Sequence, residues 1–91
     1  MTTLDRNACY GIAAGHRMQW EEAQHSWVIL YPEGMVQLNE SAAEILRRCD
    51  GMTPLSAVIA ELEAAYGGSD VAADVLELVQ AALEQGWLSR H

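Results

Sequence analysis

The sequence predicts a small α+β domain in which a three-stranded antiparallel meander precedes three helices, in the order βββααα. Two observations predict it. Apolar residues recur at a period of two between residues 16 and 38, and the period changes to about 3.6 from residue 39 onward. Turn-forming residues divide the first pattern, and glycines divide the second. A chain of 91 residues is long enough for one domain with a single thin core.

The first pattern divides into three strands. Residues 16–21 alternate between an apolar face and a polar face, and the polar residues 22–25 predict a turn. Residues 26–31 are mostly β-branched or aromatic, which predicts a strand covered on both faces. Residues 32–34, Pro-Glu-Gly, predict a tight turn, and residues 35–38 a short third strand. Consecutive strands joined by tight turns predict an antiparallel meander.

The second pattern predicts three helices with recognisable ends. Asn39 or Ser41 is the expected N-cap of the first helix, and Ser41 with Glu44 matches a capping box. Thr53 is the expected N-cap of the second helix and Ser69 that of the third. A glycine ends each predicted helix: Gly51, Gly67 with Gly68, and Gly86.

The start of the chain is expected to be structurally loose. Residues 1–15 carry small side chains without a period, so they are expected to form an N-terminal arm ahead of a single domain over residues 16–91. They have neither the cationic start nor the apolar block of a signal peptide, and no apolar run in the chain reaches about 18 residues. A cytoplasmic location is therefore expected, with Cys9 and Cys49 as reduced thiols.

The charge balance disfavours nucleic acid as a partner. Thirteen acidic residues face five arginines and no lysine, which gives a net charge of −8. Residues 69–86, the predicted third helix, hold four acidic residues and no cationic one, whereas a helix that recognises DNA needs Arg or Lys. The acidic excess either attracts a cationic partner or keeps a half-apolar domain soluble.

The sequence carries no recognisable catalytic or cofactor motif. Phosphate-binding glycine loops, HExxH, GxSxG and the Asp-Ser-Leu attachment site of acyl carriers are missing, and the two cysteines do not have metal-binding spacing. His16, His25 and His91 stand apart from one another and are expected to be packing or surface residues. The chain is predicted to be no enzyme and to bind no cofactor or metal.

The predicted third helix is apolar over a wider arc than one buried face requires. The apolar arc spans roughly 160°, against about 100° for a helix that buries one face. One part is expected to enter the core: Val71, Val75, Leu78 and Ala82. The other part is either buried as well or left for a partner: Leu76, Val79 and Leu83.

The segment from Trp27 to Asn39, followed by Ala-Ala-Glu-Ile-Leu at 42–46 and Cys-Asp-Gly at 49–51, resembles the PqqD family. These are the peptide chaperones of pyrroloquinoline quinone (PQQ) biosynthesis. The resemblance covers about residues 16–90 and implies a winged-helix-like RiPP recognition element, which binds the leader of a ribosomally made precursor peptide. It further implies that the precursor is PqqA, and that the radical SAM enzyme PqqE receives it and links a glutamate to a tyrosine within it.

The resemblance also implies where the peptide binds. In such domains the leader adds a strand beside the third strand, in a groove shared with the third helix. The implied peptide-binding residues are Met35, Val36, Gln37 and Leu38 on the strand and Leu76, Val79 and Leu83 on the helix. Strand addition uses the unpaired backbone groups of an exposed edge. The sequence leaves open whether Val36 and Leu38 lie in the core with Met35 and Gln37 in the groove, or the reverse.

An alternative function is a self-associating structural or regulatory domain that delivers no peptide. The same strand edge and helix flank would then pair two copies, or an element would be exchanged through a hinge at Gly67 and Gly68. On that view a homodimer and a peptide complex compete for one surface.

Overall fold

The computed structural model describes residues 4–67 and 70–91. Its elements in chain order are β1 (Cys9–Ile12), β2 (Arg17–Glu21), β3 (Ser26–Tyr31), β4 (Gly34–Gln37), α1 (Glu40–Leu46), β5 (Asp50–Pro54), α2 (Leu55–Tyr66), α3 (Val71–Gln85) and β6 (Leu88–Arg90). One turn of 3-10 helix at Glu22–Gln24 links β2 to β3. The predicted α+β class is confirmed, and so is the meander with three helices after it.

The meander has the strand order β2-β3-β4, and both of its pairings are antiparallel. Tyr31 pairs with Gly34 across a turn whose two intervening residues include Pro32, as the sequence predicts. The neighbours Val28 and Ile29 point to opposite faces of β3, and both are fully buried. The prediction that β3 is covered on both faces is therefore confirmed.

A second sheet, with the strand order β5-β1-β6, was not predicted. Its central strand, Cys9–Ile12, lies inside the stretch expected to be a loose arm, so that expectation does not hold for these residues. The backbone N–H of His91 donates to the carbonyl oxygen of Cys9 at 2.8 Å, and that of Ala13 donates to Trp87 at 2.9 Å. These bonds to the end of the chain hold β1 in place.

The ends of α1 differ in part from the prediction. Asn39 is its N-cap, and the Asn39 Oδ1 accepts the backbone N–H of Ala42 at 2.8 Å. The capping box is wrong because Ser41 lies inside the helix and the Glu44 carboxylate binds Arg48 instead. Gly51 does not end α1, which stops at Leu46; Gly51 belongs to β5.

The ends of α2 and α3 follow the glycine pattern. Gly67 and Gly86 adopt positive φ angles of 65° and 82° directly after the two helices, as predicted. Thr53 is not the N-cap of α2, because it lies in β5 and its hydroxyl donates to Asp50 at 3.1 Å. The predicted cap Ser69 and hinge residue Gly68 lie outside the described residues.

The helices pack with the core face of the meander around one hydrophobic core. The side chains with almost no exposure in this core include Ile29, Leu46, Leu55, Val58, Val75 and Val79. No helix among the described residues has both the length and the apolar character needed to cross a membrane.

Candidate functional site

β4 is an edge strand, and the backbone N–H and C=O groups of two of its residues point away from the sheet. Among the residues that the structure describes, β3 is its one neighbour in the sheet. The backbone N–H of Leu38 donates to the carbonyl oxygen of Trp27 at 2.9 Å. Because hydrogen-bonded and non-bonded pairs alternate along antiparallel strands, Val36 also bonds to β3. Met35 and Gln37 therefore turn their N–H and C=O groups away from the sheet.

These outward groups are open to a partner. In residues 4–67 and 70–91, no backbone or side-chain hydrogen bond engages the main chain of Met35 or Gln37 on that side. β5 is different, since the Asp50 carboxylate accepts the backbone N–H groups of Met52 and Thr53 at 2.8 Å each. These bonds also lower the pKa of Asp50 below its ordinary value. Backbone N–H groups of β5 are thus bonded to its own Asp50 side chain, whereas β4 has the open strand edge that strand addition requires.

The side chains of β4 divide between core and solvent. Leu38, directly after β4, lies in the core with 6% exposure, and Val36 packs at the border of that core. Met35, with 41% exposure, and Gln37 are exposed on the opposite face. Of the two arrangements left open by the sequence, the structure has Val36 and Leu38 on the face that meets the helices.

α3 buries the centre of its apolar arc and leaves the margins partly exposed. Val75, Val79 and Ala82 are buried, with exposures of 1%, 0% and 0%. Leu76 and Leu83 lie at one margin, partly buried against the core. The expectation that Val79 contacts a peptide is corrected, because its side chain has no surface to offer. Leu76 and Leu83 remain the predicted contacts on this helix.

The structure therefore separates the seven predicted residues into three groups. Val36 on β4 and Leu76 and Leu83 on α3 are each partly buried against the same core, and we call these three residues the apolar rim. Leu38 and Val79 are interior. Met35 and Gln37 have exposed side chains and contribute outward backbone groups.

A cleft among α1, α2 and α3, close after the end of β4, was missed from the sequence. Its volume is about 290 Å³, and its lining residues are Glu40, Ser41, Glu44, Ile45, Leu62, Tyr66, Val71, Asp74 and Val75. An apolar floor with a carboxylate rim suits an aliphatic chain with a cationic end better than an anion. The one sequence signal for it was the set of four acidic residues in the predicted third helix, to which Asp74 belongs.

One carboxylate of this cleft is already neutralised. Arg48 donates to the Glu44 carboxylate at 2.8 Å and to the Glu44 carbonyl oxygen at 2.7 Å. The hydrogen bond from Arg48 is the main cause that lowers the pKa of Glu44 below its ordinary value. Arg48 also reaches Glu61 at 3.0 Å and so ties α1 to α2.

A second cleft, of about 330 Å³, lies between α1 and the turn that joins β2 to β3. Trp20 and Trp27 meet edge to face there, with ring centroids 5.9 Å apart, and the Arg47 guanidinium lies 4.9 Å from the Trp27 ring centroid. Across the described residues, no three His, Cys, Asp or Glu side chains lie close enough together to hold a metal ion.

Comparison with known proteins decides the family. The family model described as "Coenzyme PQQ synthesis protein D (PqqD)" matches residues 26–88. The chain belongs to the PqqD family. The resemblance stated from the sequence is thereby confirmed.

Relatives called "PqqA binding protein" match over most of the chain. The protein from Methylococcus capsulatus is 53% identical over 79% of this chain and 77% of its own length. That from Azotobacter vinelandii is 47% identical over 85% of each chain. That from Klebsiella pneumoniae is 44% identical over 94% of this chain and 95% of its own.

A solved PqqD structure has the same fold. It is the solution NMR structure of the PqqD truncation of Methylobacterium extorquens PqqCD, described as a functional, stand-alone RiPP recognition element. The two structures superpose with a TM-score of 0.78 over 98% of this chain and 97% of the other, at 23% identity. At that identity the comparison supports the fold alone.

Proposed function

We propose that this protein is a cytoplasmic peptide chaperone that binds the PqqA precursor as an added strand on β4 and presents it to the radical SAM enzyme PqqE. The observation that carries the proposal is the open strand edge at Met35 and Gln37. The apolar rim, whose residues are partly buried against the core that β4 also borders, supports it. The relatives called PqqA binding protein support the choice of guest.

The binding mode follows from the geometry of β4. An added strand bonds to the N–H and C=O groups of Met35 and Gln37, which supplies affinity independent of the guest's side chains. Guest side chains alternate between the two faces of the extended sheet. Those on the helix side meet Val36, Leu76 and Leu83, so apolar guest residues at every second position are favoured.

Strand addition also suits delivery to an enzyme. A peptide held along one edge keeps its other backbone edge and one row of side chains exposed. On this proposal the chemistry on the guest belongs to the partner enzyme. PqqE then acts on a peptide whose register β4 has fixed.

Calorimetric titration with PqqA peptides tests the binding mode. N-methylation of single peptide amides is expected to weaken binding at every second position along the bound segment, because alternate amides donate to β4. On the protein, Leu83→Asp is expected to weaken binding at least about tenfold by charging the apolar rim. Ala81→Asp is the matched control, because it adds the same charge on an exposed position of α3.

Two results would reject the binding mode. One is an N-methylation profile without alternation, and the other is equal affinity of the Leu83→Asp and Ala81→Asp proteins for PqqA. Delivery is tested separately, by the rate at which PqqE modifies PqqA. The rate is expected to rise with this protein and to fall with Leu83→Asp, and an identical rate without the protein would reject presentation to PqqE.

A further inference from the structure

The meander has a second open edge, on β2. The backbone groups of Trp27 and Ile29 bond to β4, so alternation assigns those of Ser26, Val28 and Leu30 to β2. Their partners in β2 are Glu21, Gln19 and Arg17. The two residues between them turn their N–H and C=O groups outward: Met18 and Trp20. No hydrogen bond within the described residues engages these groups.

We propose that this edge pairs with the same edge of a second copy of the chain. Two β2 strands run antiparallel about a two-fold axis at Gln19, and the two meanders join into one six-stranded sheet. In this register Met18 of each copy faces Trp20 of the other, so that the interface contains two such pairs. Each facing pair exchanges two backbone hydrogen bonds, because both residues present outward groups. The interface is self-complementary, as a two-fold axis requires.

Complementary charges favour this register, and they favour a second copy of the chain as the partner. With Gln19 on the axis, Arg17 of one copy lies directly opposite Glu21 of the other, and the symmetry makes two such pairs. A shift of two residues in either direction would set Gln19 opposite Arg17 or opposite Glu21 and lose both pairs. Neither charged residue takes part in an ion pair within the described part of its own chain. Their charges are therefore available to a partner.

The expected association is weak and depends on concentration. Four backbone hydrogen bonds and two ion pairs make an interface below about 1,200 Å², the size class of transient complexes. The net charge of −8 on each copy opposes the approach of two copies. Trp20, 44% exposed, adds apolar area beside the facing Met18.

β4 does not offer a second copy the same complementarity. The acidic residues Glu33 and Glu40 flank its two ends, and the strand itself carries no cation to pair with them. Self-pairing on β2 leaves Met35 and Gln37 open in both copies. The dimer therefore carries two peptide sites, whereas in the alternative considered from the sequence a dimer and a peptide compete for one surface.

A charge exchange tests the register. Sedimentation equilibrium over a concentration series is expected to give a dimer dissociation constant that rises about tenfold for Arg17→Glu and also for Glu21→Arg, because each sets like charges opposite. The double exchange Arg17→Glu with Glu21→Arg restores both ion pairs and is expected to restore dimerisation. Circular dichroism checks that each variant is folded. A wild-type chain that stays monomeric up to millimolar concentration, or a double variant as weak as the single ones, would overturn the proposal.

Cross-linking tests the axis independently. On a Cys9→Ser background, Gln19→Cys places two thiols on the axis, at a Cα separation of about 4.5 Å, which a disulfide spans. Glu21→Cys is the matched control, since its two copies would lie roughly 13 Å apart along the strands. Mild oxidation is expected to give a covalent dimer with Gln19→Cys and none with Glu21→Cys. Equal yields, or loss of the Gln19→Cys dimer when PqqA is added, would show that β2 is not a separate self-pairing edge.

Discussion

Val79 and Leu83 lie one helical turn apart on α3, yet of the two side chains Leu83 alone reaches the surface. Val79 points at the centre of the core, and Leu83 lies at the margin of the buried arc. Two residues that look equivalent in the sequence therefore have different physical roles. One supports the fold, and the other belongs to the apolar rim.

The same substitution is expected to destabilise the fold much more at Val79 than at Leu83. Val79→Asp buries an unpaired carboxylate and should lower the free energy of unfolding by about 3 kcal/mol or more. Leu83→Asp leaves its carboxylate at the surface and should cost less than about 1.5 kcal/mol. Urea denaturation followed by circular dichroism measures both values. Equal losses of stability would contradict the assignment of Val79 to the interior.

The main elements were predictable because their signals are local. Residues 27–31 are apolar or aromatic without interruption, and α2 and α3 end at Gly67 and Gly86 with the expected left-handed backbone. The second sheet gave no such signal. β1, β5 and β6 have three to five residues each, and β1 pairs with partners about 40 and 80 residues away. Short strands held by distant partners leave no period in the sequence.

The sequence identified the strand and the helix of the candidate site, but it did not show which face of each is buried. Met35, Val36 and Leu38 are all apolar, so β4 lacks the alternation that would show which face is buried. The register to β3 supplies that information. On α3 the apolar arc was too wide to reveal its centre, and Ala82, a small residue, marks it together with Val75 and Val79.

The contacts of Arg48 predict a pH-dependent contribution to stability. Arg48 holds the pKa of Glu44 below its ordinary value of 4.5, so the folded state binds fewer protons than the unfolded state near that pH. The stabilisation is complete above the unfolded-state pKa and is lost as the pH falls through the lower, folded-state pKa. Arg48→Gln should therefore cost about 1 kcal/mol at pH 7 and less at pH 3. Urea titrations at both pH values measure the difference, and an unchanged cost would contradict the role of the Glu44 charge.

Cys49 is expected to resist alkylation in the folded protein. Burial, with a smaller contribution from the Asp50 charge, raises the pKa of its thiol to about 11, so little reactive thiolate forms at pH 8. Cys9 is partly exposed and serves as the internal reference. Iodoacetamide labelling read by mass spectrometry should modify Cys9 first and Cys49 when urea unfolds the chain. Labelling of both thiols at one rate in the native protein would refute the burial of Cys49.

Residue-resolved amide hydrogen exchange, with and without PqqA, tests strand addition on β4 most directly. In the free protein the N–H of Val36 is bonded to β3 and should exchange slowly, whereas those of Met35 and Gln37 should exchange fast. Saturation with PqqA is expected to slow exchange at Met35 and Gln37 and to leave Val36 unchanged. Fast exchange that persists at both residues under saturating peptide would contradict strand addition at this edge.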